Sequence, residues 1–304
     1  MNGKMNSRAV IKTFTFCFLL IATVLDTKGQ GSYEVKQTEV IYKEIDGFKL
    51  EMNVYAPIMQ KKEKLPAMVF FYGGGWNSSN MKQFDLQAKY LASRGMVVFC
   101  PEYRYASKHK TKVVECVKDS RSAVRYIKSH AEEFGIRTDQ LVATGISAGG
   151  HLSAALATIG QFNESTDDLN ISVNPYALVL IVPAVLIERE TLNPAFIPRF
   201  DGKEKELSPY DHIKKNMPTT LIMAGVNDNK IRVETVRAFN KKMEEYGNTC
   251  KLIEYPGKGH NLAHFIQSPD SFKASLGDME TFLEGLIKFK NPSWLDKYIA
   301  SLKK

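Results

Sequence analysis

Cysteine, tryptophan and histidine are scarce in this chain, and a long apolar run occurs only near its start. The 304 residues include four cysteines, two tryptophans and six histidines. No CxxC pair is present, and no cysteine stands at zinc-site spacing from a histidine. A protein of this length also needs no disulfide framework to be stable. These shortages exclude zinc-finger and disulfide-rich folds, and no metal or organic cofactor is implied.

Charge and composition describe an ordinary globular chain. Lys and Arg total 41 against 33 Asp and Glu, a formal net charge of +8, and the basic residues form no block. Hydrophobic residues make up 44% of the chain, which is too apolar for disorder. We therefore expect a soluble protein with no nucleic-acid partner. The length fits one large α/β unit with a lid.

The N-terminus has the pattern of a secretory signal. Three basic residues precede an apolar run over residues 14–25, namely Lys4, Arg8 and Lys12. The run is too short to span a membrane comfortably, so we expect residues 1–29 to be a signal peptide that is cleaved before Gln30. A retained N-terminal anchor is the alternative. The mature chain is expected to be secreted or periplasmic, without stable membrane insertion, because no later apolar stretch is long enough to span.

Three cysteines remain once Cys17 is removed with the signal. In an oxidising compartment, Cys100 and Cys116 could pair and close a short loop. The alternative is that Cys100, Cys116 and Cys250 are all buried free thiols.

Segments typical of strands and helices alternate from residue 33 onward, which predicts a mostly parallel sheet covered by helices. An antiparallel hairpin turns at Asp46-Gly47, and continuous apolar runs at 67–71 and 96–100 predict strands buried on both faces. Four more strands bring the total to eight: 141–144, 176–182, 220–223 and 251–255. The predicted helices cover 113–134, 151–157, 234–246 and 271–289.

Residues 183–218 interrupt this alternation. They contain Pro194, Pro198 and Pro209 and a charged stretch, but they show little periodicity. An insertion of this length between two strands is usually a cap or a binding loop. We therefore predict one domain over residues 30–304 with a small cap near 183–218.

The segment Gly145-Ile146-Ser147-Ala148-Gly149 stands between a predicted strand and a predicted helix. So tight a strand-to-helix turn requires small residues two positions before and after the serine, and it exposes the serine hydroxyl at the sheet edge. GxSxG alone arises by chance in many chains, but these flanking elements make it specific. Ser147 is therefore the predicted nucleophile.

Three consecutive glycines follow a buried strand in the segment Phe71 to Trp76. Glycines there leave backbone N–H groups free to face a ligand. Donors aimed at a developing oxyanion each contribute about 3 kcal/mol to lowering the barrier of acyl transfer. The predicted donors are the amides of Gly74, Gly75 and Ala148. A flexible glycine turn is the alternative interpretation.

A serine nucleophile needs a base and an orienting carboxylate, which on such a fold follow it in the order acid, then histidine. Asp228 lies in the loop after one predicted strand, and His260 lies in a glycine-rich loop after the next. These two residues are the predicted acid and base. His264, four residues further on, is the alternative base.

These motifs resemble the α/β-hydrolase superfamily, and more narrowly the carboxylesterases and acetyl esterases related to hormone-sensitive lipase. The resemblance covers about residues 36–290. The family's His-Gly-Gly-Gly-Trp is matched by residues 72–76, its Gly-Asp-Ser-Ala-Gly-Gly by 145–150, and its Asp-Tyr-Arg by 102–104. The resemblance implies an α/β-hydrolase fold and assigns Ser147, Asp228 and His260 to a catalytic triad.

Three departures from the family pattern bear on the substrate. Tyr72 replaces the histidine that holds the glycine loop, and Ile146 replaces an acidic residue before the nucleophile. The loop Gly259-His260-Asn261-Leu262 also differs from the usual His-Gly-Phe ending. The change at position 146 favours acetyl esterases of the carbohydrate-degrading kind over the lipase-like branch.

The expected function is a secreted serine esterase for short acyl groups, with small-molecule or carbohydrate acetyl esters as substrates. One alternative is a prolyl-oligopeptidase-like peptidase, although Ala148 rather than tyrosine follows the serine and no propeller domain is evident. The other alternative is a catalytically silent binding protein, although all three triad residues are present. The oligomeric state is left open.

Overall fold

A single eight-stranded sheet organises the protein. The computed structural model describes residues 32–60, 63–190 and 192–303, and the predicted signal peptide lies outside them. The strands are β1 (Val35–Ile45), β2 (Phe48–Pro57), β3 (Leu65–Phe71), β4 (Val97–Pro101), β5 (Ile136–Ile146), β6 (Ala177–Ile181), β7 (Thr219–Gly225) and β8 (Cys250–Tyr255). Their order across the sheet is β1-β2-β4-β3-β5-β6-β7-β8. β1 pairs antiparallel with β2, β2 antiparallel with β4, and all later pairs are parallel.

The burial of the strands explains why the sequence predicted them. β3, β4 and β6 are buried along their whole length, as expected of parallel strands with helices on both faces. The β1–β2 turn has positive φ at Asp46 (51°) and Gly47 (78°), the conformation that Asp-Gly favours in two-residue hairpins. The predicted α/β-hydrolase sheet of eight strands is confirmed.

Eight α-helices cover the described part of the sheet. They are α1 (Asp85–Ser93), α2 (Ala106–His109), α3 (Val113–Ser129), α4 (Ala131–Phe134), α5 (Ala148–Thr158), α6 (Val233–Glu245), α7 (Pro269–Glu284) and α8 (Leu295–Leu302). The helix predicted over 113–134 is divided at His130, whose φ and ψ of −101° and 22° leave the helical region. It ends at Gly135 as predicted, in the left-handed conformation with φ 64°.

Helices α1, α2 and α8 were not predicted. α1 buries polar side chains such as Gln87 and Ser93, so its apolar stripe is incomplete. Gln87 is accommodated there because its amide donates to the Ala263 carbonyl at 3.0 Å. α8 did carry a periodic signal, because apolar residues recur at helical spacing at Leu295, Tyr298, Ile299 and Leu302.

The insertion between β6 and β7 contains two 3₁₀ turns, Ile197–Arg199 and Pro209–His212, and no strand among its described residues. Phe200 and Leu207 are fully buried, which anchors the insertion on the sheet domain. Its backbone is also held by Lys242, whose ammonium donates to the Tyr210 carbonyl at 2.9 Å. The segment is therefore packed in place as a cap.

A buried charge cluster fastens the segment after β4 to its neighbours. The Arg104 guanidinium bonds both oxygens of Asp119, at 2.8 and 2.9 Å, and Asp119 is fully buried in α3. Lys43 of β1 donates to the same carboxylate at 2.6 Å, and Glu164 accepts from both cations. Because every charge has partners, the cost of burying the cluster is offset. Glu102-Tyr103-Arg104 is thereby fixed beside the glycine loop.

Cys100, Cys116 and Cys250 are free thiols, so the possible Cys100–Cys116 disulfide is not formed. The Cys116 thiol instead donates to the Arg104 carbonyl at 3.0 Å. Cys250 is only partly buried. The alternative prediction of buried free thiols therefore holds for Cys100 and Cys116 alone. Within the described ranges, no helix is long and apolar enough to cross a membrane.

Candidate active site

Ser147 stands in the sharp turn between β5 and α5 with φ 56° and ψ −117°, a strained conformation for a residue with a side chain. Its N–H donates to the Ile181 carbonyl at 3.0 Å, which holds the turn against β6. A Cβ at Gly149 would overlap the Phe71 carbonyl, and one at Gly145 would overlap the backbone of Gly149. The helix can approach the sheet this closely only because both positions are glycine.

The glycine loop after β3 is held by its carbonyl groups. Gly74 and Gly75 have φ of 141° and 58°, which favour glycine. The Gly74 carbonyl accepts from the Asn77 N–H at 3.0 Å, and the Gly75 carbonyl accepts from the Arg199 guanidinium of the cap. In a trans peptide the N–H points opposite to the carbonyl, so the Gly75 N–H is turned away from Asn77.

The amide of Ala148 is a second available donor. Ala148 is the first residue of α5, and the first N–H groups of a helix have no acceptor within it. The positive end of the helix dipole also lies there and favours negative charge. Two of the three predicted oxyanion donors, Gly74 and Gly75, line one cavity with the predicted nucleophile Ser147.

Tyr72 forms a reciprocal pair with Tyr103. The Tyr72 hydroxyl donates to the Tyr103 carbonyl at 3.1 Å and accepts from the Tyr103 N–H at 3.2 Å. The Tyr103 hydroxyl donates to the Tyr72 carbonyl at 2.9 Å, and the two rings stack with centroids 4.2 Å apart. Tyr72 thus anchors the start of the glycine loop, at the position where the resembled family pattern has histidine. Burial raises the pKa of its hydroxyl well above the usual range, so it stays a donor.

Asp228 and His260 are brought together from the loops after β7 and β8. His260 Nδ1 lies 2.7 Å from Asp228 Oδ2. Asp228 Oδ1 accepts from the backbone N–H groups of Lys230 and Ile231 at 2.8 and 3.0 Å. Burial opposes ionisation of Asp228, but the bonds from His260 and the backbone outweigh it and hold its pKa below the ordinary value. The carboxylate is therefore ionised and directed at the ring.

The cavity at the site has a volume of about 450 Å³ and contains both Ser147 and His260 in its lining. A second, smaller pocket of about 20 Å³ also opens at Ser147 and reaches under the cap. His260 does not line this small pocket. Ser147 therefore borders both a large space that His260 also lines and a small one that His260 does not line.

Solved esterase structures share this architecture. The apo form of Thermogutta terrifontis esterase 2 superposes with a TM-score of 0.80 at 34% identity, over 84% of this chain and 97% of that one. The chain therefore belongs to the α/β-hydrolase carboxylesterases related to hormone-sensitive lipase.

Sequence relatives agree with this family. A family model described as BD-FAE matches residues 52–182 of the carboxylesterase. A probable isoprenylcysteine alpha-carbonyl methylesterase of Arabidopsis thaliana is 24% identical over 72% of this chain and 49% of its own length. Esterase LipC of Mycobacterium tuberculosis is 24% identical over 65% of this chain and 53% of its own. The chain spans about half the length of these curated relatives. Together with the esterase structures, they confirm the predicted enzyme class.

The predicted site residues of the carboxylesterase converge. The large cavity is lined by Ser147, His260, Gly74 and Gly75. The Asp228 carboxylate, which does not line it, pairs with the His260 ring. Between the described side chains of Ser147 and His260 there is no direct hydrogen bond; such catalytic bonds often tighten only with substrate bound. His264 also lines the cavity, but the Asp228 carboxylate pairs with His260.

Two contributors to the oxyanion loop were missed by the sequence analysis. Gln83 Oε1 accepts from the Gly73 N–H at 2.7 Å, and Arg199 binds the Gly75 carbonyl from the cap. Neither residue belongs to a motif, so no local signal could have found them. Among the described residues, no group of three or more His, Cys, Asp or Glu side chains is placed to bind a metal ion.

Replacing Gly149 with alanine tests the close approach of α5 to β3. Alanine favours a helix over glycine by about 1 kcal/mol, but the methyl group would overlap the Phe71 carbonyl, and overpacking costs about 1–3 kcal/mol or more. We expect the clash to dominate, lowering the urea midpoint and reducing hydrolysis of p-nitrophenyl acetate by at least about 100-fold. Gly160→Ala is the matched control, because its Cβ would meet open space. Wild-type activity and stability in Gly149→Ala would contradict this account of the turn.

Proposed function

We propose that this carboxylesterase hydrolyses esters of short acyl groups, acetyl above all, with Ser147, Asp228 and His260 as its triad. The observation that carries the proposal is the pair of unequal spaces that meet at Ser147. One is a pocket of about 20 Å³, and the other is a cavity of about 450 Å³.

The reaction follows from the hydrogen bonds of His260. Its Nδ1–H donates to the Asp228 carboxylate, so Nε2 is the basic nitrogen, and His260 lines the cavity that Ser147 shares. His260 takes the Ser147 proton as the hydroxyl oxygen attacks the ester carbonyl. The amides of Gly74, Gly75 and Ala148 stabilise the oxyanion of the tetrahedral intermediate. Collapse of this intermediate releases the alcohol, protonated by His260, and leaves an acyl-serine that water hydrolyses by the same steps.

The position of His260 supports the large cavity as the alcohol side of the site. The leaving oxygen must lie next to the ring that protonates it, and His260 lines the large cavity but not the small pocket. The alcohol therefore occupies the large cavity. The acyl group lies in the small pocket.

The size and lining of the small pocket favour short acyl chains. Its apolar lining consists of Trp76, Ala184, Leu186, Leu192, Phe196 and Ile231. About 10–15 Å³ of such space holds one water-sized group, so a pocket of about 20 Å³ suits a methyl group. Propionate-bound and butyrate-bound structures of Thermogutta terrifontis esterase 2 support the same class of acyl group.

The large cavity favours a polar alcohol. Side chains with amide, hydroxyl, imidazole or ammonium groups line it: Ser78, Asn80, Gln83, Asn193, Lys230, Asn261 and His264. Convergent amide and hydroxyl groups recognise hydroxyl-rich ligands by hydrogen bonds. We therefore include O-acetylated carbohydrates among the proposed substrates.

Substitution of the histidines tests the triad. His260→Ala removes the base, so we expect kcat for p-nitrophenyl acetate to fall by at least about 10³-fold, as for Ser147→Ala. His264→Ala is the matched control from the same cavity and should stay within a few-fold of wild type. The reverse pattern, with the large loss in His264→Ala, would move the base to His264.

A series of esters tests the substrate class. We expect kcat/KM to be highest for acetyl and to fall steeply by C8 to C12, because the longer chains cannot enter the small pocket. Acetylated xylan should release acetate, whereas a peptide amide should be untouched. Rates on C8 to C12 esters that equal the acetate rate would refute the short-acyl proposal. Cleavage of the amide would favour the peptidase alternative.

We also propose that the enzyme is exported. The basic residues and apolar run before Gln30 support this. Expression of the full chain in a bacterial host should give a product in the periplasm or medium whose N-terminus is Gln30. An intact N-terminus on membrane-bound protein would instead indicate a retained anchor.

A further inference from the structure

His151 is a buried histidine that has no part in the proton transfers. It lies one turn after Ser147 in α5, and its N–H donates to the Ser147 carbonyl at 3.0 Å. Its side chain is fully buried and makes two hydrogen bonds. The Trp76 indole Nε1 lies 3.3 Å from His151 Nδ1, and His151 Nε2 lies 2.7 Å from the Leu207 carbonyl oxygen.

The chemistry of these partners sets the protonation state of the ring. An indole N–H can only donate, and a carbonyl oxygen can only accept. His151 must therefore accept at Nδ1 and donate from Nε2, which is the neutral Nε2–H tautomer. Burial lowers the pKa of His151 to about 4, so this form persists at neutral pH.

The two bonds join the acyl pocket to the cap. Trp76 ends the glycine loop with φ 56° and forms a wall of the small pocket. Leu207 belongs to the buried part of the cap. Phe200, also of the cap, contacts the Trp76 ring edge-on with centroids 5.0 Å apart. His151 therefore contacts the nucleophile turn, the pocket wall and the cap at once.

We propose that His151 is a positioning residue that sets acyl-chain selectivity by holding the Trp76 indole in place as the wall of the acyl pocket. The proposal rests on the proposed esterase function. The specific element is the hydrogen bond from the indole to Nδ1, because a directional bond restricts the rotation of a ring whose contacts with Phe196 and Phe200 are edge-on aromatic ones. Loss of this bond frees the indole to move and lets longer chains enter.

Two amide substitutions separate the hydrogen bonds of His151. His151→Asn places an acceptor near the Nδ1 position and can keep the bond from Trp76, while the bond to Leu207 is lost. His151→Gln places a donor near the Nε2 position and can keep the bond to Leu207, while the bond from Trp76 is lost. Trp76→Phe removes the indole donor without changing His151.

The readout is the ratio of kcat/KM for p-nitrophenyl acetate to that for p-nitrophenyl hexanoate, with melting temperature measured in parallel. We expect the ratio to fall roughly 2- to 10-fold in His151→Gln and in Trp76→Phe, the effect of one neutral hydrogen bond. His151→Asn should keep a ratio near that of wild type. The double variant His151→Gln/Trp76→Phe should fall no further than either single variant, because both remove the same bond.

A purely structural role would lower stability and the rates on both esters together. An unchanged ratio in Trp76→Phe, or an equal fall in His151→Asn and His151→Gln, would overturn the proposal. Trp76→Phe keeps the test informative if a substitution at His151 fails to fold. If the wild-type enzyme hydrolyses no ester, the proposed function fails; if it hydrolyses acetate and the ratio does not move, only the role of His151 fails.

Discussion

The close contact between α5 and the end of β3 is the constraint on which the site depends. No Cβ fits at Gly149 or Gly145, so the helix begins directly against the Phe71 carbonyl. This contact forces Ser147 into a positive φ and presents its hydroxyl at the sheet edge. It also places the first free amide of the helix next to the glycine loop. One steric condition thus positions both the proposed nucleophile, Ser147, and a proposed oxyanion donor, the Ala148 amide.

Three consecutive glycines leave the loop after β3 with little intrinsic rigidity. Residues from distant parts of the chain hold it in place. The Tyr72 hydroxyl donates to the Tyr103 carbonyl, and the Gln83 side chain accepts from the Gly73 amide. Arg199 of the cap donates to the Gly75 carbonyl. Tyr103 is itself kept in place by the buried charges around Arg104. The change from histidine to Tyr72 therefore substitutes one anchor for another, because a phenol can both donate to and accept from the same peptide segment.

Much of the fold was predictable because its strands are long, continuous apolar runs and its active-site motifs are local. The elements that were missed carry incomplete local signals. α1 buries Gln87, which is tolerated through a bond to Ala263 far along the chain, so its helical pattern was incomplete. No glycine or proline marks the break at His130. The anchors Gln83 and Arg199 belong to no motif and became visible only through their contacts.

The amino-acid order alone predicts the nucleophile, the serine–acid–histidine succession and the glycine loop, because tight turns and strand ends dictate their residue types locally. The three-dimensional packing selects His260 over His264 as the partner of Asp228, sets the size of the small pocket at Ser147, and joins Trp76, His151 and Leu207. The hydrogen bonds involved link residues 32 to 75 positions apart. Contacts at such separations depend on how the sheet and cap are assembled, which no local pattern encodes.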